Sequence, residues 1–119
     1  MISRNLNIIF YHIPKTGGTS IINFFKNYDK NLELFSHVPV STLISSNIIS
    51  KKDIESCFKF TVVRNPFDLA ISIYEYSRME KSYWHSSDGS TEYGVHDDYH
   101  KLKDKSFYEF SNLLVKNKL

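Results

Sequence analysis

Residues 7–20 read NIIFYHIPKTGGTS, and this stretch decides the fold class. Asn7 to Ile13 is a short run of β-branched and aromatic residues that ends at Pro14, which is typical of a buried parallel strand. Beyond the two glycines, apolar residues recur at helical spacing, which predicts a helix from about Thr19 to Tyr28. The sequence therefore indicates a strand, a glycine-containing turn and a helix in direct succession.

The turn between these two elements is the segment Pro14 to Ser20, PKTGGTS. Glycine lets the backbone approach an anion closely and adopt positive φ angles, and a following helix directs unpaired N–H groups and its positive dipole end at that anion. Lys15 adds a positive charge, and Thr19 and Ser20 add hydroxyl donors. The pattern indicates a phosphate-binding cradle; a Walker A motif would place Lys after the glycines. The alternative is a Gly-Gly turn that happens to precede a helix.

A second strand–helix junction follows later in the chain. Phe58 to Val63 (FKFTVV) predicts a strand, after which Asn65 suits the N-cap and Pro66 the first position of a helix. Arg64 would leave the carboxyl end of that strand, where ligands of open parallel sheets bind, and its forked donors match a phosphate dianion. Ser72, on the helix, would bind the same anion only if the end of the strand and the helix converge. If this motif is considered alone, the simpler interpretation is an Arg on the surface and a helical Ser that faces water.

The remaining segments complete an α/β pattern. Leu32–Phe35 predicts another strand, Val40–Cys57 one or two short helices, and Asp104–Lys116 a final helix. Lys81–His100 has no period and predicts a long loop. Strands separated by helices favour parallel pairing with right-handed crossovers. We therefore expect an α/β protein with a small, mostly parallel central sheet flanked by helices, in a single domain over residues 1–119.

Composition excludes several functional classes. The chain has 119 residues with 15 Lys+Arg against 13 Asp+Glu, a net charge of +2, so the strong basic excess of a dedicated nucleic-acid binder is missing. The single Cys57 rules out an intramolecular disulfide and a zinc site built on a cysteine pair. No apolar run approaches the ~20 residues of a membrane span, and none resembles a signal peptide. We therefore expect a cytoplasmic protein without nucleic-acid or membrane partners.

In this order and spacing, the two motifs resemble those of the sulfotransferase superfamily, whose members transfer a sulfuryl group from 3′-phosphoadenosine-5′-phosphosulfate (PAPS). PKTGGTS is similar to the 5′-phosphosulfate loop of that family, and RNPFDLAIS to its 3′-phosphate-binding segment. The resemblance covers Ile8 to Tyr76 and is closer to the carbohydrate-type branch. It implies a P-loop-like three-layer fold, PAPS as the sulfuryl donor, and no metal.

The resemblance also assigns roles to residues. Lys15 would stabilise charge on the leaving 5′-phosphate, and His37 in the stretch SHVP would be the catalytic base, a role that suits histidine near neutral pH. The donor-binding residues that the resemblance implies are Lys15, Thr16, Gly17, Gly18, Thr19, Ser20, Arg64 and Ser72. For His37 the alternative is a cap on the short helix after Pro39. For His12 we expect a structural hydrogen bond.

The loop Lys81–His100 is a candidate for the acceptor side of the site. It interleaves aromatic with polar residues, which suits sugars or phenols: Tyr83, Trp84, His85, Asp88, Tyr93, His96, Asp97, Asp98, Tyr99 and His100. His96 and His100 would form a metal-binding pair only on a helix, and we expect no metal site.

Three functions stay open at this point. The first is a PAPS-dependent sulfotransferase acting on a carbohydrate or another small hydroxyl compound. The second is a catalytically inactive or fragmentary module that binds PAPS or its desulfated product PAP. The third is a small P-loop nucleotide kinase, against which the missing Walker Lys counts. Family members are usually longer, and their late glycine- and Lys/Arg-containing loop has no counterpart after Tyr76, so the chain resembles a short or truncated member. A homo-oligomer could supply the missing wall.

Overall fold

The structure, a computed structural model, describes residues 1–35, 37–79 and 98–116. In chain order its elements are β1 Ile2–Ser3, β2 Ile8–Tyr11, α1 Gly18–Lys26, α2 Val40–Ser45, α3 Lys51–Ser56, β3 Phe58–Thr61, α4 Pro66–Ser77, α5 Tyr99–Leu102 and α6 Phe107–Val115. The chain divides into two compact units, Met1–Arg64 and Asn65–Leu119. The expectation of one domain over residues 1–119 stays a prediction.

The first unit is built on a three-stranded sheet of order β1-β2-β3. β2 pairs in parallel with β3, from Ile8 opposite Phe58 to Tyr11 opposite Thr61, and pairs antiparallel with β1. The α/β class is therefore confirmed. The sheet is mixed where we expected a mostly parallel one, and the P-loop-like character of the fold stays a prediction.

The strand predicted over Leu32–Phe35 is wrong, and β1 takes its place in the sheet. Within that segment only Glu33 pairs, in an isolated antiparallel bridge to Ile2 whose two backbone hydrogen bonds are each 2.9 Å long. Phe35 is buried in the core while Leu34 is exposed. The apolar residues of this segment thus reflect packing against the sheet, whereas β1 is too short to show the period-2 alternation of a strand.

Side chains of β2 alternate between two faces of the sheet, and helices of the same unit pack on both. Ile9 belongs to a buried cluster that also contains residues from β1, from the segment before α2, from α2 and from the turns beside α3: Ile2, Phe35, Leu43, Ile49 and Cys57. Phe10 points the opposite way and stacks on Phe60, with ring centroids 4.9 Å apart. Phe60 in turn contacts Phe25 of α1, with ring centroids 6.1 Å apart. β2 is therefore held on both faces, which fixes where its carboxyl end emerges.

The helices of the first half begin and end close to their predicted bounds. α1 starts at Gly18, one residue before the expected start, and ends at Lys26. Between Val40 and Cys57, where we expected one or two short helices, the structure has two, α2 and α3. These helices pack on the sheet, and a short loop, residues 12–17, connects β2 to α1.

The second unit comprises α4, α5 and α6 around a small cluster of Tyr74, Leu102 and Phe110. α4 begins as predicted: Pro66 is its first residue, and the side-chain oxygen of Asn65 accepts a hydrogen bond from the Phe67 N–H at 2.9 Å. α6 is shorter than the helix predicted over residues 104–116, because a capping box formed by Ser106 starts it at Phe107.

Most of the predicted loop Lys81–His100 lies outside the described residues. Of its last three residues, which are described, Tyr99 and His100 already belong to α5. Within residues 1–35, 37–79 and 98–116, no helix combines the length and apolar character needed to span a bilayer.

Candidate functional site

The glycine loop connects the carboxyl end of β2 to the first turn of α1. Its backbone passes through two residues with positive φ, Lys15 at 62° and Gly17 at 83°. Thr16 is buried, and its hydroxyl donates a hydrogen bond to the Ile13 carbonyl at 2.7 Å, which closes the turn from inside. A non-glycine residue in the left-handed region is uncommon and costs energy. The surrounding fold therefore holds Lys15 in a conformation that an isolated chain would rarely adopt.

Backbone groups form the N-terminus of α1. Gly17 is the N-cap residue, and within the described part of the chain no side chain caps this end. A Cβ built on Gly17 would meet no atom within 4 Å, so the space above this residue is open. Thr19 and Ser20 are exposed on the first turn. An open helix N-terminus with hydroxyl donors beside it fits an anionic group such as a phosphate.

The second motif reaches the same loop. β2 and β3 run parallel, so their carboxyl ends lie at one edge of the sheet, where the Thr61 hydroxyl donates to the Tyr11 carbonyl at 2.8 Å. Just beyond β3, Arg64 Nη1 donates to the Lys15 carbonyl at 3.3 Å. Burial and, after it, the neighbouring Arg64 guanidinium lower the pKa of Lys15. Two cations therefore lie close together at this loop, an arrangement that a bound anion would relieve.

His37 is connected to the glycine loop through His12. His12 directly follows β2, and its ring centroid lies 5.1 Å from that of His37 with an interplanar angle of 49°. On its other side the His12 ring fills the space that a side chain at position 18 would need, because a Cβ built on Gly18 would lie 2.0 Å from His12 Cδ2. The His37 ring is therefore one imidazole away from the first residue of α1.

Both imidazoles lose protons more readily than an ordinary histidine, whose pKa is 6.5. Burial lowers the pKa of His37. Burial, then His37, then the N-terminal amine of Met1 lower the pKa of His12. Both rings are therefore neutral at pH 7, and a neutral imidazole carries a lone pair that can accept a proton. The backbone of His37 also has a positive φ, 57°.

The structure decides two questions that the sequence left about these histidines. The N-cap of α2 is Pro39, and no side chain makes a capping bond there among the described residues, so His37 is not a helix cap. The structural hydrogen bond predicted for His12 is wrong at Nδ1, which is buried without a partner in the described part of the chain. Sequence reasoning missed the bridging position of His12. A signal existed in Gly18, because glycine inside a helix often marks a close neighbour.

The predicted site residues fall into three groups. The loop, Arg64 and His37 belong to the first unit: Lys15, Thr16, Gly17, Gly18, Thr19, Ser20, Arg64 and His37. Ser72 lies half-buried on α4 in the second unit, so its part in an anion site stays a prediction. The acceptor-side residues 81–97 lie outside the described residues. Within the described ranges, no three His, Cys, Asp or Glu residues form a group that could hold a metal ion.

A family model described as "Sulfotransferase family" matches the chain over residues 1–119. No curated protein and no solved structure matches it. The family match spans the glycine loop, the segment from Arg64 to Ser72 and His37.

Proposed function

Since this chain belongs to the sulfotransferase family, we propose that it transfers a sulfuryl group from PAPS to the hydroxyl of a carbohydrate or another small hydroxyl compound. The contact between Arg64 and the Lys15 carbonyl carries the proposal, because it joins the two motifs at one edge of the sheet. PAPS has phosphate groups on the 3′ and 5′ positions of one ribose. A site for it therefore needs two cationic positions a short distance apart, and Arg64 and Lys15 offer them.

The loop residues fit the 5′-phosphosulfate end of this donor. Gly17 leaves open space above the backbone, and the first turn of α1 offers N–H groups together with the hydroxyls of Thr19 and Ser20. Lys15 supplies the positive charge. Arg64, with Ser72 as its proposed second ligand, would hold the 3′-phosphate through forked donors. When bound, PAPS supplies a sulfuryl group attached to a phosphate leaving group.

The chain's own side chains then divide the work of the transfer. His37, neutral at pH 7, takes the proton of the acceptor hydroxyl, whose oxygen forms the new bond to sulfur as the bond from sulfur to the 5′-phosphate oxygen breaks. Lys15 and the loop amides stabilise the charge that collects on the departing phosphate. The products are the sulfated acceptor, PAP and a proton on His37, which is lost to water.

A transfer assay with radiolabelled PAPS and a panel of glycans and phenols tests this proposal. We expect label in a product that requires both an acceptor and the protein. PAP binding in a calorimetric titration, with no label transferred to any acceptor, would contradict the transferase and identify a binding module. Phosphoryl transfer that depends on ATP and Mg²⁺ would instead identify a kinase.

A further inference from the structure

We propose that His12 is a positioning residue for His37. Its Nδ1 accepts a hydrogen bond from an imidazole N–H of His37 while His37 takes up the proton of the substrate hydroxyl. The inference rests on the proposed function in so far as His37 is the base. The contact between the two rings stands independently of that role.

His12 is held on several sides, so its ring has little freedom to turn. Its backbone directly follows β2, and its ring stacks on Phe10 with centroids 6.0 Å apart and an interplanar angle of 20°. The Cδ2, Nε2 and Cγ atoms of the ring lie against Gly18. His37 is its third neighbour, at 5.1 Å between centroids. A side chain held in this way can fix the orientation of a neighbouring ring.

The buried Nδ1 of His12 is the atom available for this bond. It has no hydrogen-bond partner among the described residues, and it is not among the three ring atoms nearest to a Cβ built on Gly18. An unpaired buried acceptor is tolerated more often than an unpaired buried N–H, which favours a tautomer with the proton on Nε2 and a lone pair on Nδ1. Of the two aromatic neighbours of His12, Phe10 has no polar hydrogen, whereas His37 can donate one. Nδ1 and His37 are therefore suited to each other.

The bond would form during the reaction. Hydrogen bonds of a catalytic base are often long or poorly aligned before substrate binds, and they tighten in the complex. A charged imidazole needs a partner for each N–H, so protonation of His37 strengthens its demand for an acceptor. An uncharged acceptor also avoids a second cation beside the protonated His37, and burial keeps His12 in that uncharged form.

Two replacements separate hydrogen bonding from packing. His12→Phe keeps a ring of similar shape and removes Nδ1, whereas His12→Asn gives up the ring and retains an acceptor close to the position of Nδ1. We expect His12→Phe to lower kcat about 100-fold, in line with the cost of a misaligned reacting group, and His12→Asn to restore much of that loss. PAP affinity should stay at the wild-type value in both variants. Higher activity in His12→Phe than in His12→Asn would overturn the proposal, and so would a loss of PAP affinity that matches the loss of kcat.

An NMR titration of the histidine rings tests the inference without any turnover, so it still decides if the transferase proposal fails. His12→Phe removes the hydrogen-bond acceptor that stabilises protonated His37, so the pKa of His37 should fall in this variant. His12→Asn should bring that pKa back toward the wild-type value. An unchanged His37 pKa in His12→Phe would contradict the proposal. If His12→Phe does not fold, the nitrogen spectrum of the wild-type protein serves instead. On protonation of His37, the His12 Nδ1 resonance should move to the position of a hydrogen-bonded acceptor, and an unmoved resonance would overturn the inference.

Discussion

At the scale of single residues, Lys15 combines three features that rarely occur together: a positive φ, partial burial and a neighbouring guanidinium. Each of them costs energy in the protein without a bound anion. All three would serve a protein that binds phosphate at this loop, since the backbone turn exposes N–H groups and partial burial strengthens the attraction between Lys15 and an anion. Lys15 is therefore the first residue to replace.

We predict that Lys15→Ala lowers the rate of sulfuryl transfer by on the order of 10²–10³-fold, the usual cost of removing a group that stabilises a developing negative charge. The measurement is the initial rate with radiolabelled PAPS. Asn47→Ala is the matched control, because Asn47 has nearly the same backbone (φ 56°) and lies in the turn after α2, outside the site. Wild-type turnover in Lys15→Ala would contradict the role given to this residue.

His37 predicts a pH dependence of the reaction. Burial favours its neutral form and lowers its pKa below 6.5, so the base is available at neutral pH and is lost as pH falls through the pKa of the folded protein. We expect kcat/KM to rise with pH and to reach half its maximum below pH 6.5. His37→Ala should lower the rate about 10²–10⁴-fold and abolish this acid limb. An acid limb that persists unchanged in His37→Ala would assign it to another group.

At the scale of elements, the sequence predicted best where one local signal sufficed. Asn65 and Pro66 placed the start of α4 correctly, because an N-cap and a proline at the first helical position act within a few residues. The segment around Glu33 misled, because apolar residues can be buried without pairing. β1 escaped prediction for a different reason: a strand of two residues is too short to show any period, although its partner β2 follows closely in the chain.

The start of α6 provides a prediction at this scale. Ser106 and Glu109 form a capping box in which the Ser106 hydroxyl accepts from the Glu109 N–H at 3.3 Å and the Glu109 carboxylate accepts from the Ser106 N–H at 2.8 Å. Ser106→Ala should lower the free energy of unfolding by about 1 kcal/mol, as measured by urea denaturation. Ser111→Ala is the control, since that hydroxyl donates a hydrogen bond to the Tyr108 carbonyl within the helix and caps neither end of it. Equal losses in the two variants would argue against the cap.

At the scale of the whole molecule, Arg4 ties distant parts of the first unit together. Its guanidinium donates to both carboxylate oxygens of Asp53, at 3.0 and 3.1 Å, and to the Ile48 carbonyl at 3.1 Å. It also forms an ion pair with Glu33. Arg4, Arg64 and Arg78 are the arginines of the chain. Arg4 thus stabilises the fold, as does Arg78, whose guanidinium lies 4.6 Å from the centre of the Tyr74 ring.

The pKa of Asp53 makes the contribution of the Arg4–Asp53 pair to stability measurable. The hydrogen bond from Arg4, then those from Ser50, lower the pKa of Asp53 from 3.8 to about 2. The stabilisation is therefore fully present above pH 3.8 and is lost as pH falls through about 2. Asp53→Asn should cost about 1–2 kcal/mol at pH 7, since Asp53 is buried but Arg4 is partly exposed to solvent.

Denaturant titrations at several pH values check this prediction. The difference between Asp53→Asn and wild type should shrink toward zero as the pH approaches 2. Glu55→Gln is the matched control, because it removes one carboxylate from the same helix and, among the described residues, Glu55 makes only an exposed pair with Lys51 at 3.8 Å. A cost for Asp53→Asn that does not depend on pH would contradict the role of the charge.

The candidate site was predictable to the extent that it depends on strand direction. Two parallel strands end at one edge of a sheet, so the meeting of Lys15 and Arg64 follows from their positions after β2 and β3. The position of His12 between Gly18 and His37 depends on packing between residues on either side of α1, which a sequence pattern does not encode. Ser72 lies in the second unit, and its participation requires a test in solution.

The most direct measurement for the central claim is a calorimetric titration of the wild-type protein and Arg64→Ala with PAP and with adenosine 5′-phosphate, which lacks the 3′-phosphate. We predict that the wild-type protein binds PAP far more tightly than adenosine 5′-phosphate, and that Arg64→Ala loses this preference while its affinity for adenosine 5′-phosphate stays the same. If Arg64 only orders the loop through the Lys15 carbonyl, both ligands would lose affinity equally. That result, or a wild-type protein that does not bind PAP, would contradict the account.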